Sequence, residues 1–307
     1  MAKIKKSSTL TNMAKNYSDE NKARELLESL RWPSGPACPR CGSMGVVALN
    51  GARPGLYRCR DCREHKTKDQ FTVTVGTIFE DSHIPLSKWL LAITLMCSSK
   101  KGMSAHQLHR MLGITYKSAW FMAHRIRYAM ETPTKGKLGG IIEADETWVG
   151  GKSRRIGQQT AWENKTPVLA LVQRNGDVRS RVAPTVSAAT LKEFLLENAK
   201  TSARLMTDEL DSYEGVGKSF KSHERVKHKI HEYSRGDVTT NTVEGYFSIL
   251  KRGINGVYHH VSKEHLHRYL SEFDFRYNRR KINDDERMIS AIAGFEGKRL
   301  TYLDSKS

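Results

Sequence analysis

Residues 141–145 read Ile-Ile-Glu-Ala-Asp, a mainly apolar run that ends on an acidic side chain. The run follows a Lys- and Gly-rich linker at residues 135–140, and a short apolar run bounded in this way is typical of a β-strand. A carboxylate at the end of such a strand lies exposed at the edge of a sheet. This stretch therefore predicts a strand that presents the functional carboxylate of Asp145.

The pattern downstream predicts further strands at residues 167–172, 178–184 and 203–207, and a helix at about 188–200. Asn175-Gly176 predicts the hairpin turn between the first two of these strands. The last strand ends at Asp208, which is the second carboxylate at a strand end. Strands followed by alternating helix and strand indicate an α/β domain with a mixed sheet.

A helix is predicted from about Thr240 to Arg252. Its apolar residues recur at the spacing of one helix face, which is therefore predicted to be buried: Val243, Phe247 and Leu250. Glu244 and Lys251 are two turns apart on a neighbouring face, so the docked helix would present both along the sheet edge.

Three converging carboxylates, Asp145, Asp208 and Glu244, suit hard divalent cations such as Mg²⁺. Two such ions support in-line phosphoryl transfer, and Lys251 would hold a phosphate nearby. Of the neighbouring acids, Glu143 shares a strand face with Asp145 but would leave the site over-charged. Glu146 and Glu209 are predicted to point to the opposite face from their aspartates. Asp211 could replace Asp208, because it lies about one helical turn further along the chain.

Residues 86–130 have helical periodicity. Ser87 and Ser104 are predicted to cap two helices, the second with an apolar face that includes Leu108, Met111 and Leu112. Gly113 ends the second helix, and Thr115 or Tyr116 begins a third. Two helices joined by a glycine turn, the second basic and aromatic, indicate a helix-turn-helix-like DNA-binding segment. Its predicted DNA contacts are Lys117, Arg125 and Arg127.

Four of the five cysteines form two Cys-x-x-Cys pairs, separated by residues 42–58: Cys38, Cys41, Cys59 and Cys62. Two such knuckles complete a closed tetrahedral four-sulfur site, so they predict a structural Zn²⁺ ribbon. Cys97 lies in an apolar run and is predicted to be a buried bystander.

The 307 residues carry 51 Lys and Arg against 33 Asp and Glu, a formal net charge of +18. This balance indicates a polyanionic partner, of which nucleic acid is the first choice. The apolar fraction of 38% excludes a wholly disordered basic tail. The longest apolar stretch, residues 89–96, is far too short for a membrane span, and no secretory signal is recognisable, which favours a cytoplasmic protein.

Several long motifs carry a family resemblance. They are Glu-Ala-Asp-Glu-Thr-Trp-Val-Gly-Gly-Lys at 143–152, Thr-Asp-Glu at 207–209, the stretches 241–252 and 253–262, and Glu-Phe-Asp-Phe-Arg-Tyr-Asn-Arg-Arg at 272–280. On these motifs the chain resembles bacterial insertion-sequence transposases of the DDE type, specifically the ISXO-like group with an N-terminal zinc ribbon. The resemblance covers about residues 30–282.

The resemblance implies a ribonuclease-H-like catalytic domain preceded by a zinc ribbon and a helical segment. The corresponding domains are a polar lead at 1–30, the zinc ribbon at 31–75, the helix-turn-helix-like segment at 84–131, the catalytic domain at 138–282 and a tail at 283–307. It further implies that Asp145, Asp208 and Glu244 bind Mg²⁺ or Mn²⁺, with Lys251 as their basic partner. Asn241, one turn before Glu244, is the alternative third residue.

The implied activity is that of a polynucleotidyl transferase, which binds terminal inverted repeats, cuts at the 3′ ends and joins them to target DNA. Its partners would be element-end and target DNA and further copies of itself, associated with the nucleoid when bound. Two alternatives remain open. One is a sequence-specific DNA-binding regulator derived from an inactive transposase, and the other is a metal-dependent nuclease without strand transfer.

Overall fold

A computed structural model of the chain describes residues 18–49, 51, 53–131, 136–150, 165–302 and 304. Lys135 of the expected linker, Gly151 and Lys152 of the first motif and most of the polar lead lie outside these residues. The chain divides into two compact units. The first comprises Met1–Ser99, Met103–Glu131 and Ile282–Ser307, and the second comprises Lys100–Gly102 and Thr132–Lys281.

The first unit begins with helix α1 (Glu20–Arg31), in a region where the sequence pattern predicted only a polar lead. The Asp19 carboxylate accepts hydrogen bonds from the backbone N–H groups of Asn21 and Lys22, which caps the helix. Its buried face consists of Ala23, Leu26 and Leu27. The helix therefore packs through one short apolar face.

A small antiparallel sheet follows, in the order β1-β2-β3. Its strands are β1 (Val46–Ala48), β2 (Tyr57–Cys59) and β3 (Gln70–Phe71), and the short helix α2 (Arg60–Glu64) follows β2. Trp32 packs edge-on against the rings of Tyr57 and Phe71 at 5.5 and 5.9 Å between ring centroids. This aromatic cluster and the cysteines form one small core.

Three helices complete the middle of this unit: α3 (Leu86–Ser98), α4 (Ala105–Leu112) and α5 (Tyr116–Met130). The predicted cap at Ser104 is confirmed, and Gly113 ends α4 with a left-handed φ of 59°. Helix α5 begins at Tyr116, one of the two predicted starts, and Thr115 caps it. The predicted cap at Ser87 is wrong, because α3 already begins at Leu86 and the Glu20 carboxylate accepts the backbone N–H groups of residues 86 and 87.

The second unit is built on a five-stranded mixed sheet in the order β6-β5-β4-β7-β8. Its strands are β4 (Ile141–Val149), β5 (Thr166–Gln173), β6 (Val178–Val182), β7 (Arg204–Thr207) and β8 (Ser222–Arg225). The pairs β6/β5 and β5/β4 are antiparallel, whereas β4/β7 and β7/β8 are parallel. Asn175 takes a left-handed φ of 59° in the turn before β6, so the predicted hairpin is confirmed.

Helices cover both faces of this sheet. Helix α6 (Ala188–Asn198) precedes β7, and the short helix α7 (Glu214–Gly217) follows it. Helix α6 packs through Leu191, Phe194 and Leu195 on the sheet face that carries Ile142 and Ala144. After the two-stranded hairpin of β9 (Ser234–Arg235) and β10 (Val238–Thr239), helices α8 (Asn241–Gly253) and α9 (Leu266–Asn278) cover the other face. Alternate residues of β5 contribute to the two cores, as the period of a strand requires.

Helix α10 (Asp284–Ala293) belongs to the first unit and lies in the region predicted as a polar tail. Asn283 and Glu286 form a capping box at its start. Met288, Ala291 and Ile292 are buried, and the Met288 sulfur lies 3.2 Å from the Thr94 hydroxyl of α3. Among the described residues, every helix is too short or too polar to cross a bilayer.

Candidate functional site

The second unit brings three carboxylates together at the end of β7. Oxygen atoms of Asp145, Glu146 and Asp208 all lie within 4.8 Å of one another. Asp145 is on the central strand β4, and Asp208 directly follows β7, the parallel neighbour of β4. The structure thus places the first two predicted ligands side by side and adds a third, and we call Asp145, Glu146 and Asp208 the acid cluster.

Glu146 was predicted to point to the opposite face from Asp145 and was left out of the site for that reason. The two residues do alternate along β4, but a Glu146 carboxylate oxygen still lies within 4.8 Å of oxygens of Asp145 and Asp208. Consecutive strand residues do point to opposite faces, but β7 pairs with β4 only through Glu143. Along that edge of β4, beyond Glu143, both side chains reach the space beside Asp208. The strand also runs on to Val149 rather than ending at Asp145. The length of β4 relative to its neighbour β7 is the feature from which the position of Glu146 could have been predicted.

Burial and mutual repulsion make these carboxyl groups weaker acids than exposed carboxyl groups. Burial, followed by the charge of Glu146, raises the pKa of Asp145 to about 8. Burial also raises the pKa of Glu146 to about 7, against the Tyr213 hydroxyl, which donates to Glu146 Oε2 at 2.7 Å. Burial raises the pKa of Asp208 as well. Three crowded, partly buried oxygen donors form a set that fits a hard divalent cation, which would offset their repulsion.

Glu244 lies on α8 but outside this group of oxygens. Its carboxylate accepts a hydrogen bond from the Thr240 hydroxyl at 2.7 Å and lies 3.4 Å from His228 Nε2. Its charge is among the smaller causes of the raised pKa of Asp145, so it lies in the neighbourhood of the acid cluster. The apolar stripe below it is buried as predicted, and the exposed Lys251 follows near the end of the helix.

Asn241, the alternative third residue, is the first residue of α8 and is exposed. Asp211, the alternative to Asp208, begins a short 3-10 turn after β7. The Glu209 carboxylate accepts hydrogen bonds from the backbone N–H groups of His228 and Lys229. Glu209 therefore serves the next loop rather than the acid cluster, in line with its predicted direction.

Glu143 is fully buried and holds the start of α8. Its carboxylate accepts the backbone N–H groups of Thr242 and Val243 at 2.7 and 3.1 Å, and it is paired with Arg174 at 2.6 Å. Thr240, in the cap position of α8, makes no such capping bond with its own side chain. An acid on a strand two residues before Asp145 thus caps the helix that carries Glu244.

The first unit brings the four paired cysteines together. Their Sγ atoms lie within 4.8 Å of one another, with separations of 3.7, 3.6 and 3.5 Å for Cys38–Cys62, Cys41–Cys59 and Cys41–Cys62. A tetrahedral ion with Zn–S bonds of about 2.3 Å requires sulfur separations of about 3.8 Å, whereas a disulfide requires about 2.05 Å. The four thiols therefore fit a structural Zn²⁺. Cys97 is fully buried elsewhere, as predicted.

The three predicted DNA contacts have unequal surroundings. Lys117 is exposed near the start of α5, with its ammonium 4.6 Å from the centre of the Tyr302 ring. Arg125 and Arg127 are only 4% and 2% exposed, so their burial counts against the prediction that they contact DNA. Arg125 donates to the Glu80 carbonyl and lies over the Phe121 ring. Met111, predicted on the apolar face of α4, is 57% exposed.

Comparison with known proteins agrees with this arrangement. Residues 137–278, which contain the acid cluster and α8, match the model of the ISXO2-like transposase domain. Residues 18–65, which contain the four cysteines, match the transposase zinc-ribbon domain.

Two relatives are similar over most of their own length. The chain is 29% identical over 279 residues to an uncharacterized protein in transposable element ISH50 of Halobacterium salinarum, covering 85% of this chain and 92% of the relative. It is 30% identical over 111 residues to an uncharacterized transposase-like protein of Haemophilus influenzae, covering 36% of this chain and 89% of the relative. With its transposase domain, its zinc ribbon and these relatives, the chain belongs to the ISXO2-like transposase family.

Proposed function

We propose that the chain is the DNA transposase of an insertion sequence, which binds terminal inverted repeats and catalyses metal-dependent strand cleavage and strand transfer. The observation that carries the proposal is the meeting of Asp145 and Asp208 from adjacent parallel strands, with Glu146, within 4.8 Å. In a family of transposases, an oxygen-only acid cluster at a sheet edge is the donor set that phosphoryl transfer needs.

We assign the second unit to the ribonuclease-H-like class. The first aspartate lies on the central strand, the second follows the neighbouring parallel strand, and Glu244 lies on a later helix that packs on the sheet. The antiparallel order β6-β5-β4 followed by the parallel β7 and β8 supports this assignment. The proposed catalytic domain, residues 138–282, would make up most of this unit, which comprises Lys100–Gly102 and Thr132–Lys281.

Asp145, Asp208 and Glu244 would hold Mg²⁺ or Mn²⁺, with Glu146 as an additional carboxylate. Bound cations of this kind activate a water or a DNA 3′-hydroxyl and offset charge on the leaving oxygen. Lys251, exposed near the end of α8, would bind a phosphate of the same DNA strand. Because Glu244 is held by Thr240 and His228, its carboxylate must move toward the acid cluster to share a cation.

The zinc ribbon and helices α3–α5 would bind the element ends, with Lys117 at the surface of α5. The net charge of +18 favours the phosphate backbone of DNA. Transposition requires two ends in one complex, so we infer that a dimer or larger assembly of the chain acts on cytoplasmic, nucleoid DNA.

The decisive experiment is cleavage and joining of labelled element-end DNA in Mg²⁺ or Mn²⁺, with wild type beside Asp145→Ala, Asp208→Ala and Glu244→Ala. Loss of both products in all three variants, with DNA binding retained, supports a single carboxylate site. Cleavage without joined product would indicate a nuclease, and binding without cleavage a regulator. Activity that survives Glu244→Ala but not Asn241→Ala would move the third role to Asn241.

A further inference from the structure

One exposed segment beside the acid cluster is not used by the chemistry described above. Residues 227–233 read Lys-His-Lys-Ile-His-Glu-Tyr and connect β8 to the β9–β10 hairpin before α8. We call this stretch the 227–233 segment. It belongs to the same compact unit as the acid cluster.

Two contacts fix this segment at the edge of the site. The Glu209 carboxylate, next to Asp208 in the chain, accepts the backbone N–H of His228 and that of Lys229, the latter at 3.2 Å. On the other side, His228 Nε2 lies 3.4 Å from the Glu244 carboxylate. The segment therefore borders both the second aspartate and the helix that carries Glu244.

The outer surface of the segment is unusually apolar and aromatic for a basic loop. Ile230 and Tyr233 are 67% and 56% exposed, and they are two of only six large apolar or aromatic side chains exposed among the described residues. The Tyr233 ring is flanked by the rings of His228 and His231, at 5.3 and 6.5 Å between centroids.

The segment also carries cationic side chains. Lys227 and Lys229, which precede Ile230 in the chain, are both exposed. Single exposed apolar residues are common on protein surfaces. Here, however, an exposed ring, an exposed aliphatic side chain and two exposed lysines occur within seven consecutive residues, in a segment that borders the acid cluster. A stacking surface with flanking cations is the arrangement with which proteins bind unpaired nucleic-acid strands.

We propose that the 227–233 segment is the docking surface for an unpaired nucleotide of the DNA strand being processed, with Tyr233 stacked on its base and Lys227 and Lys229 on the adjoining phosphates. This inference rests on the proposed DNA function and adds a recognition element to it. Stacking on a ring is tolerant of base identity, so this surface would bind the strand near the reacting phosphate irrespective of its sequence.

The test measures binding of the full chain to a labelled oligo(dT) strand of about 12 nucleotides by fluorescence anisotropy, in a buffer without divalent cations. Tyr233→Ala should weaken binding at least about 5-fold, whereas Tyr233→Phe, which keeps the ring, should stay within about 2-fold of wild type. Lys227→Ala with Lys229→Ala should lower the slope of log affinity against log salt concentration by about 1 to 2.

The matched control is Lys192→Ala with Lys218→Ala, two exposed lysines of the same unit outside the segment. It should leave the affinity and its salt slope close to wild type. Because Tyr233 is exposed, its variants should melt at the wild-type temperature, which separates lost binding from lost folding. A strand that carries 2-aminopurine adds a direct readout, since stacking on Tyr233 should quench its fluorescence and Tyr233→Ala should restore it.

Equal oligo(dT) affinity of Tyr233→Ala and wild type would overturn the proposal, and so would a Tyr233→Phe variant as weak as the alanine variant. If the proposed transposase function were wrong, the experiments would give a different combination of results. In that case wild type would leave element-end DNA uncut in Mg²⁺ and Mn²⁺, while the Tyr233 variants still differed in oligo(dT) binding.

Discussion

The Glu143 carboxylate accepts a hydrogen bond from the backbone N–H of Val243 at 3.1 Å, across 100 positions of the chain. This contact joins the strand that carries Asp145 to the helix that carries Glu244. The Arg174 guanidinium, bonded to the same carboxylate and to the Thr239 carbonyl, completes the junction. The relative position of two predicted catalytic acids thus depends on a third acid that lies outside the acid cluster.

We expect Glu143→Gln to lower the free energy of unfolding by about 2–4 kcal/mol, because it leaves the Arg174 charge without its buried partner and weakens the helix cap. Glu193→Gln, which changes an exposed acid paired with Arg181, should change stability by no more than about 0.5 kcal/mol. Urea unfolding measures both. Similar stability of the two variants would show that the Glu143 junction does not hold the helix.

The metal-free protein should lose stability as the pH rises from about 4.5 to about 8. The pKa of Asp145 is raised from an ordinary 3.8 to about 8, and that of Glu146 from 4.5 to about 7. In this window the folded chain binds protons that the unfolded chain has released. The contribution of these two carboxyl groups to the free energy of unfolding is therefore complete below their ordinary pKa values. It disappears as the pH passes their raised pKa values.

Thermal unfolding without divalent cations at a series of pH values tests this expectation. Asp145→Asn should flatten the pH dependence and melt above wild type at pH about 8, because it removes the buried charge. Millimolar Mn²⁺ should restore wild-type stability most strongly at the alkaline end. A melting temperature of the wild type that rises steadily with pH would contradict the assignment.

We expect Glu146→Gln to weaken Mn²⁺ binding by about tenfold, and Asp145→Asn or Asp208→Asn to weaken it further. Each change removes an oxygen charge from the acid cluster, and stabilisation by a ligand follows its occupancy. The Mn²⁺-induced rise in melting temperature reports the affinity independently of DNA cleavage. Glu214→Gln, an exposed acid nearby in the chain, is the control, and a Glu146 variant that matched it would remove Glu146 from the metal site.

Cys59→Ser should reduce bound zinc from about one ion per chain to near zero and unfold the small β1–β3 sheet. Cys97→Ser should keep its zinc, since Cys97 lies outside the four-sulfur cluster. Metal analysis of the purified chains, with circular dichroism, measures both effects. Full zinc content in Cys59→Ser would mean that the ion is held elsewhere.

Lys117→Ala should weaken duplex DNA binding several-fold without changing stability, because its ammonium is exposed. Arg125→Ala should instead destabilise the first unit by about 2–4 kcal/mol, since it removes a buried guanidinium from the Glu80 carbonyl and the Phe121 ring. Parallel melting and DNA-binding curves distinguish the two. A stable Arg125→Ala variant with weakened DNA binding would reinstate that residue as a DNA contact.

Local sequence signals predicted much of the fold. The strand that ends before Asp208, the Asn175 turn, the cap at Ser104 and the start of the third helix at Thr115 or Tyr116 all depend on short-range chemistry, and the structure confirms each of them. The run at residues 141–145 does form a strand, but that strand continues to Val149. The four-cysteine cluster could be predicted equally well, because the spacing of two ligands on a tight turn is a local property of the sequence.

The predictions that the structure does not support depended on tertiary context. An arginine in a helix pattern usually indicates a surface, yet α5 buries Arg125 and Arg127. Because side chains alternate along a strand, Glu146 was excluded from the site of Asp145. That alternation does not keep the two carboxylates apart where a strand extends past its partner. Helices α1 and α10 went unpredicted because each buries only three apolar residues, a pattern too short to stand out in polar segments.

The first unit is assembled from three stretches of chain, with the 150 residues of 132–281 between the second and the third. On the ribosome, helices α1 to α5 therefore emerge well before α10, whose Met288 and Ile292 complete their core. At about 5–20 residues per second, this interval lasts on the order of ten seconds. A polypeptide terminated early would leave that core open. The zinc-binding unit thus completes its core only in chains that already contain the acid cluster.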